Sequence, residues 1–322
     1  MRSVFMAWCI VLSPFLTFAA DPPPFELRDG DRVVFLGNTL IEREQKYGHW
    51  ELMLTMAWPE RNVTFRNLGW SGDTVWGESR AGFGTQADGF KALVEQVTAA
   101  KPTVIFVGYG NVEAFAGEPG LTKFIEGFNK LLDELERTKA RIVVLGPTGQ
   151  NPHVTPNKDW RRVNESVGKY SEAMSKVCDY RNHLFVAFAS LTSIFNDVAT
   201  TDDDTGVSTK SGDLTAVGYL LLYRNGIAPR LQLSRDVSLP QTPEGAGQYV
   251  ALKQAITTKN EFFFHRWRPQ NETYLFGFRK HEQGKNAAEL FAFDPLIAAE
   301  ERKIAELRVK LAAGMKETKD AK

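Results

Sequence analysis

The stretch Asn67-Leu68-Gly69-Trp70-Ser71-Gly72-Asp73-Thr74 closes a β-rich run at 63–67 and opens a polar turn with glycines on both sides of Trp70-Ser71. Glycine lets a backbone come close to a bound group, and Gly72 offers an unobstructed N–H. Outward from this stretch, short β-rich runs alternate with helical periodicity, the pattern of a parallel sheet covered by helices. The runs are 32–36, 63–67, 103–107, 141–145 and 184–188, so five strands are expected. Between them Leu121, Phe124, Ile125, Phe128, Leu131, Leu132 and Leu135 recur at helical steps, as do Trp160, Val163, Val167, Tyr170, Met174 and Val177. Both stripes read as core faces. Residues 41–57 and 88–100 read as further helices, and 214–223 as the helix that closes the sheet domain.

Ligands of an open parallel sheet bind in the crevice past the carboxyl ends of its strands, so the loops there are the ones to inspect. Three carry unusual residues. Phe35 to Arg43 runs a buried strand through Gly37-Asn38-Thr39 into a helix, whose start aims N–H groups at a ligand. Asn67 to Glu78 contains the opening stretch, with Ser71, Gly72 and Asp73. Val107 to Phe115 brings Asn111 and Glu113 to the same edge.

The order of strand, Gly-x-Thr, then N-x-G-x-S-G-D-T, then a Gly-Asn turn after the third strand resembles the SGNH, or GDSL, hydrolases, over about residues 32–223. The resemblance implies a flavodoxin-like three-layer α/β/α sandwich. It also implies ester hydrolysis, with a nucleophile at Thr39 and oxyanion donors at Gly72 and Asn111. Asn38, Ser71, Asp73, Glu113 and Asp213 are the further candidates for binding residues. No cofactor or metal belongs to this chemistry.

The pattern departs from the family where the mechanism needs a hydroxyl nucleophile and an imidazole to take its proton. The family's Gly-Asp-Ser is here Gly37-Asn38-Thr39, whose threonine methyl crowds attack. Its Asp-x-x-His precedes a Leu-Thr-x-x-Gly-Tyr that is present here as Leu214-Thr215-Ala216-Val217-Gly218-Tyr219. One register places Lys210 and Asp213 at the aspartate and histidine; another reads Asp204 to Ser208 as the motif and places Ser208 at the histidine. In the third block either Asn111 or Val112 occupies the asparagine position. The remaining histidines are His49, His153, His183, His265 and His281.

Past about residue 225, Pro229, Pro240 and Pro243 break the rhythm. The domain organisation expected is a leader at 1–20, an SGNH hydrolase-like domain at 25–228 and a mainly helical extension at 229–322. The extension holds a helix at 246–257, a polar-aromatic segment from His265 to Gly284 and a charged helix at 298–311 with Ile304, Leu307 and Leu311 on one side. The polar-aromatic segment reads as a clasp in which Trp267, Tyr274, Phe276 and Phe278 pack on the sheet domain and arginines pair with carboxylates. The alternative is a lid facing the ligand. The terminal helix reads as a solvated or oligomer-forming face.

Met1-Arg2, the apolar run to Ala20 and the following Asp21-Pro22-Pro23-Pro24 have the form of a signal peptide, which predicts an exported protein, periplasmic or secreted, with no stable membrane span after cleavage. Thirty-nine basic and 39 acidic residues balance, which argues against nucleic acid as a partner and for a neutral small-molecule or glycan ligand. Of the two cysteines, Cys9 lies in the leader and Cys178 on an apolar helical face, so stability rests on the core. Two functions follow: a catalytically impaired member that holds a carbohydrate or protein ligand in the crevice, or an ester hydrolase that uses Thr39 with a non-standard base.

Overall fold

The computed structural model describes residues 25–151, 159–195, 206–209, 212–233, 242–269, 271–282 and 286–320. Five strands, β1 (Arg32–Gly37), β2 (Thr64–Gly69), β3 (Val104–Gly108), β4 (Arg141–Leu145) and β5 (Leu184–Val186), form one parallel sheet in the order β2-β1-β3-β4-β5. All five expected strands are present within one to two residues at their ends. The central strands are near-continuous apolar runs because helices cover both faces. Along β1, Val34 and Leu36 enter one core with α3 (Gln86–Ala100), α4 (Leu121–Glu136) and α5 (Trp160–Arg181). Val33 and Phe35 enter the other with α1 (Thr39–Tyr47), α2 (His49–Ala57) and α6 (Ala216–Leu222). This is the three-layer α/β/α sandwich with flavodoxin-like strand order.

The helix expected at 41–57 is two helices. Gly48 sits at φ 61°, ends α1 in a left-handed cap whose N–H donates to the Glu44 carbonyl, and starts α2 in a new direction. A Cβ here would lie 2.8 Å from Ile256 Cγ2, so the same glycine admits a helix of the extension. After α6 comes a π-helical turn, Tyr223–Ile227, and the short α7 (Ala228–Arg230).

The extension differs from the sequence reading in extent and in role. Its first helix, α8, runs Pro243–Trp267 and absorbs the start of the polar-aromatic segment. The short α9 (Glu272–Leu275) follows, and α10 spans Phe293–Asp320. The terminal helix is not merely a solvated face: Ile304 and Leu311 are buried with Leu252, Ala255 and Ile256 of α8 and with Leu52 and Met56 of α2. Lys259 crosses this seam to place Nζ 2.7 Å from both oxygens of buried Glu51. The Phe65 carbonyl of edge strand β2 accepts from Lys259 and from Arg66, and that of Leu68 accepts from Arg80, which blunts the edge against pairing with another chain. The clasp is made by Trp267, which packs edge-on against Trp70, whereas Phe276 and Phe278 are exposed. Among the described residues, no helix is long and apolar enough to cross a membrane.

Candidate active site

The carboxyl ends of β1, β2 and β3 converge because glycine ends each of them. At Gly37 a Cβ would lie 2.2 Å from the Gly108 carbonyl oxygen, and at Gly69 one would lie 2.2 Å from the Glu42 nitrogen, so neither position admits a side chain. The Asn38 side chain caps α1 by accepting from the Leu40 N–H, which sets Thr39 at the helix start. Gly72, at φ 73°, turns its N–H onto Thr39 Oγ1 at 3.0 Å. The expected nucleophile position and oxyanion glycine are therefore in hydrogen-bond contact.

Thr39, Asn38, Asn111 and Asp213 line one cleft of about 600 Å³ with Arg43, Phe115, Thr148, Gln150, Asn151 and Tyr219. Asn111 Nδ2 donates to the Thr148 carbonyl and to Thr148 Oγ1, at 2.9 and 3.0 Å. Val112, the alternative for the third block, lines the cleft beside it. Asn38 Nδ2 is buried with no hydrogen-bond acceptor among the described residues. Asp213, at the histidine position in one register, is ion-paired with Arg43. Ser208, at that position in the other register, is buried and accepts from Asn151 Nδ2 at 2.9 Å. Asp204 and Lys210 lie outside the described residues.

The remaining candidates point elsewhere. Ser71 faces α1, where its N–H and hydroxyl donate to Glu42 at 2.6 and 2.8 Å. Asp73 is fully buried and takes Arg80 Nε at 2.7 Å and the Tyr109 hydroxyl at 3.1 Å, so it holds the loop from inside instead of meeting a ligand. Glu113 accepts from the Gly110 and Val75 N–H groups, both at 2.9 Å, which ties the third-strand loop to the second; burial pushes its carboxyl up to about 7 against these bonds.

None of the described histidines lines the cleft. His49 is buried in α2, where desolvation and nearby Lys253 lower it to about 4. His183 contacts Glu136, His265 stacks on Phe293, and His281 is exposed. His153 lies outside the described residues. Cys178 is buried, with its thiol pushed up to about 12 mainly by desolvation, as suits a core residue.

Two groups of cleft residues escaped the sequence reading. Arg43 stands four residues after Thr39, on the same face of α1, a spacing that was available as a signal. Thr148, Gln150 and Asn151 follow β4, whose strand end obeys the same crevice rule as the three loops inspected.

Fold and cleft define a flavodoxin-like α/β/α sandwich with a cleft at the carboxyl ends of its strands. The chain belongs to the GDSL-like lipase/acylhydrolase family, whose model matches residues 35–219. No curated protein matches it in sequence. Among solved structures it is similar to a gut microbial diltiazem-metabolizing enzyme, with a TM-score of 0.54 and 11% identity over 88% of this chain and 96% of that one. It is also similar to a variant of an acetyl-xylooligosaccharide esterase from Geobacillus stearothermophilus, with a TM-score of 0.50 and 15% identity over 65% and 98%. At these identities the likeness is one of fold.

Proposed function

We propose that this GDSL-family protein acts after export and uses the cleft at Thr39 to bind a neutral, acylated carbohydrate without efficient hydrolysis. The observation that carries the reading is the Arg43–Asp213 ion pair in the cleft, at the place where one register puts the family's imidazole. A carboxylate whose lone pairs engage a guanidinium is a poor acceptor for a hydroxyl proton. The rest of the lining suits a sugar: the Gln150 amide and the Asn111 amide oxygen for hydroxyls, and half-exposed Phe115 as an apolar platform for a ring face.

Acetylated xylo-oligosaccharide is a fitting probe, since one fold neighbour is an esterase of that substrate class. Calorimetry should detect binding while acetate release stays at the buffer rate. Phe115→Ala should weaken binding by about tenfold, the scale of one lost ring contact. Acetate release that disappears in Thr39→Ala would overturn the reading in favour of a threonine esterase, the second reading, which the Gly72–Thr39 hydrogen bond supports. Asp213→His should then be informative in its own right. By supplying an imidazole it is expected to raise p-nitrophenyl acetate hydrolysis at least about tenfold, a gain that Thr39→Ala removes.

A further inference from the structure

We infer that Arg268, from the C-terminal extension, is a positioning residue for the loop that holds the Gly72 N–H against Thr39, a residue of the cleft. The connection is continuous. Arg268 caps α8 and ion-pairs with Glu42 of α1, and both side chains are largely shielded from solvent. Glu42 uses both oxygens on the loop, accepting from the Ser71 N–H and from its hydroxyl. One residue on, the Gly72 N–H meets Thr39 Oγ1, three residues before Glu42 on the same helix. The loop is thus pinned to α1 at two successive residues, and one of the two pins takes its counter-charge from the extension.

The guanidinium does a second job. Its carbon lies 4.0 Å from the centre of the Trp70 ring, which meets Trp267 edge-on at 5.8 Å and has Arg80 at 5.4 Å. Trp70 immediately precedes Ser71, so the extension holds both the side chain at the start of the turn and the carboxylate that fixes its middle. Without Arg268, Glu42 would accept two loop hydrogen bonds as a partly buried anion with no cation against it, and its rotation toward water would release Ser71 and loosen Gly72. A planar guanidinium suits the role because it stacks on the indole and donates to the carboxylate at once, which an ammonium does less well.

The test is hydrogen–deuterium exchange of the segment 69–74 in the full chain, with acetylated xylotriose affinity measured on the same samples. Arg268→Ala should speed exchange there by about tenfold, the scale of one lost charge-assisted hydrogen bond, and leave α5 on the far face unchanged. Arg268→Lys should recover only part of the protection. Arg279→Ala, which alters an extension arginine paired with Glu282, should leave the segment as it was. Should Arg268→Ala fail to fold, Glu42→Gln keeps an acceptor for Ser71 while removing the charge, and the same change, smaller, is expected. Exchange no faster than in Arg279→Ala, or accelerated equally across α5, would overturn the inference. The affinity arm rests on the glycan reading of the cleft and the exchange arm does not: faster exchange in a protein that binds no xylotriose supports Arg268 and sinks the glycan.

Discussion

Arg80→Ala is expected to remove about 3–5 kcal/mol of folding stability, the cost of leaving a buried charge without its partner. Neither side chain of the Arg80–Asp73 pair reaches solvent. Arg80 spends Nε on Asp73, Nη1 on Gln96 at 2.6 Å and Nη2 on the Leu68 carbonyl at 2.9 Å. Asp73 also takes the Ser79 N–H at 3.1 Å and the Tyr109 hydroxyl. Truncation therefore strands a carboxylate, a strand-end carbonyl and a glutamine together. Replacing both partners by apolar residues of similar volume, Arg80→Met with Asp73→Leu, should recover a good part of the loss, because what is costly is the orphaned charge. Urea denaturation of the single and double variants checks this; a loss under about 1 kcal/mol for Arg80→Ala would mean that water reaches the pair.

The fate of Asp73 shows where sequence reading stops. Its place beside Gly72 suggested a ligand-facing carboxylate, yet it turns inward to Arg80 while Ser71 turns to α1. Nothing in the local spacing says which way an acidic residue in a turn will face, because its partners come from the following turn and from Tyr109 just past β3. The strands were legible for the opposite reason: a strand covered on both faces is an apolar run whose signal is entirely local. Gly48 lies between. A single glycine is tolerated inside helices, so the break between α1 and α2 becomes readable only when Ile256 is seen packed against it. The extension was hardest, since α8 buries residues against α2, β2 and α10 together and no single periodic stripe marks its length. Around the site, Thr39 and Gly72 came from motif order, whereas Glu42 and Arg268 matter through a contact between residues 226 apart in sequence.

Alkaline pH is expected to destabilise the protein through Glu44, which faces the core from α1 and accepts the Trp50 N–H at 2.7 Å. Burial pushes its carboxyl from an ordinary 4.5 up to about 8; the Trp50 bond and Lys259 oppose the shift and Glu51 adds to it. A group raised in the folded state favours folding fully below its unfolded value and loses that contribution as pH climbs through the folded one. Between those limits the folded chain carries one more proton than the unfolded chain, so stability falls by about 1.4 kcal/mol per pH unit. Glu113, raised to about 7, adds to the same trend at its lower end. His49 has the opposite sign: lowered to about 4, it stabilises above its ordinary 6.5 and is lost as pH falls through about 4, so it does not intervene on the alkaline side. Stability should therefore drop by about 2–3 kcal/mol between about pH 6.5 and about pH 9. Glu44→Gln keeps an acceptor for Trp50 but has nothing to ionise, and should reduce the drop to under about 1 kcal/mol. Parallel pH profiles of urea denaturation for Glu44→Gln and the unaltered protein would place the titrating group elsewhere. A profile that falls more steeply for the unaltered protein than for Glu44→Gln would tie the alkaline limit of this fold to the inner face of the helix that begins at Thr39.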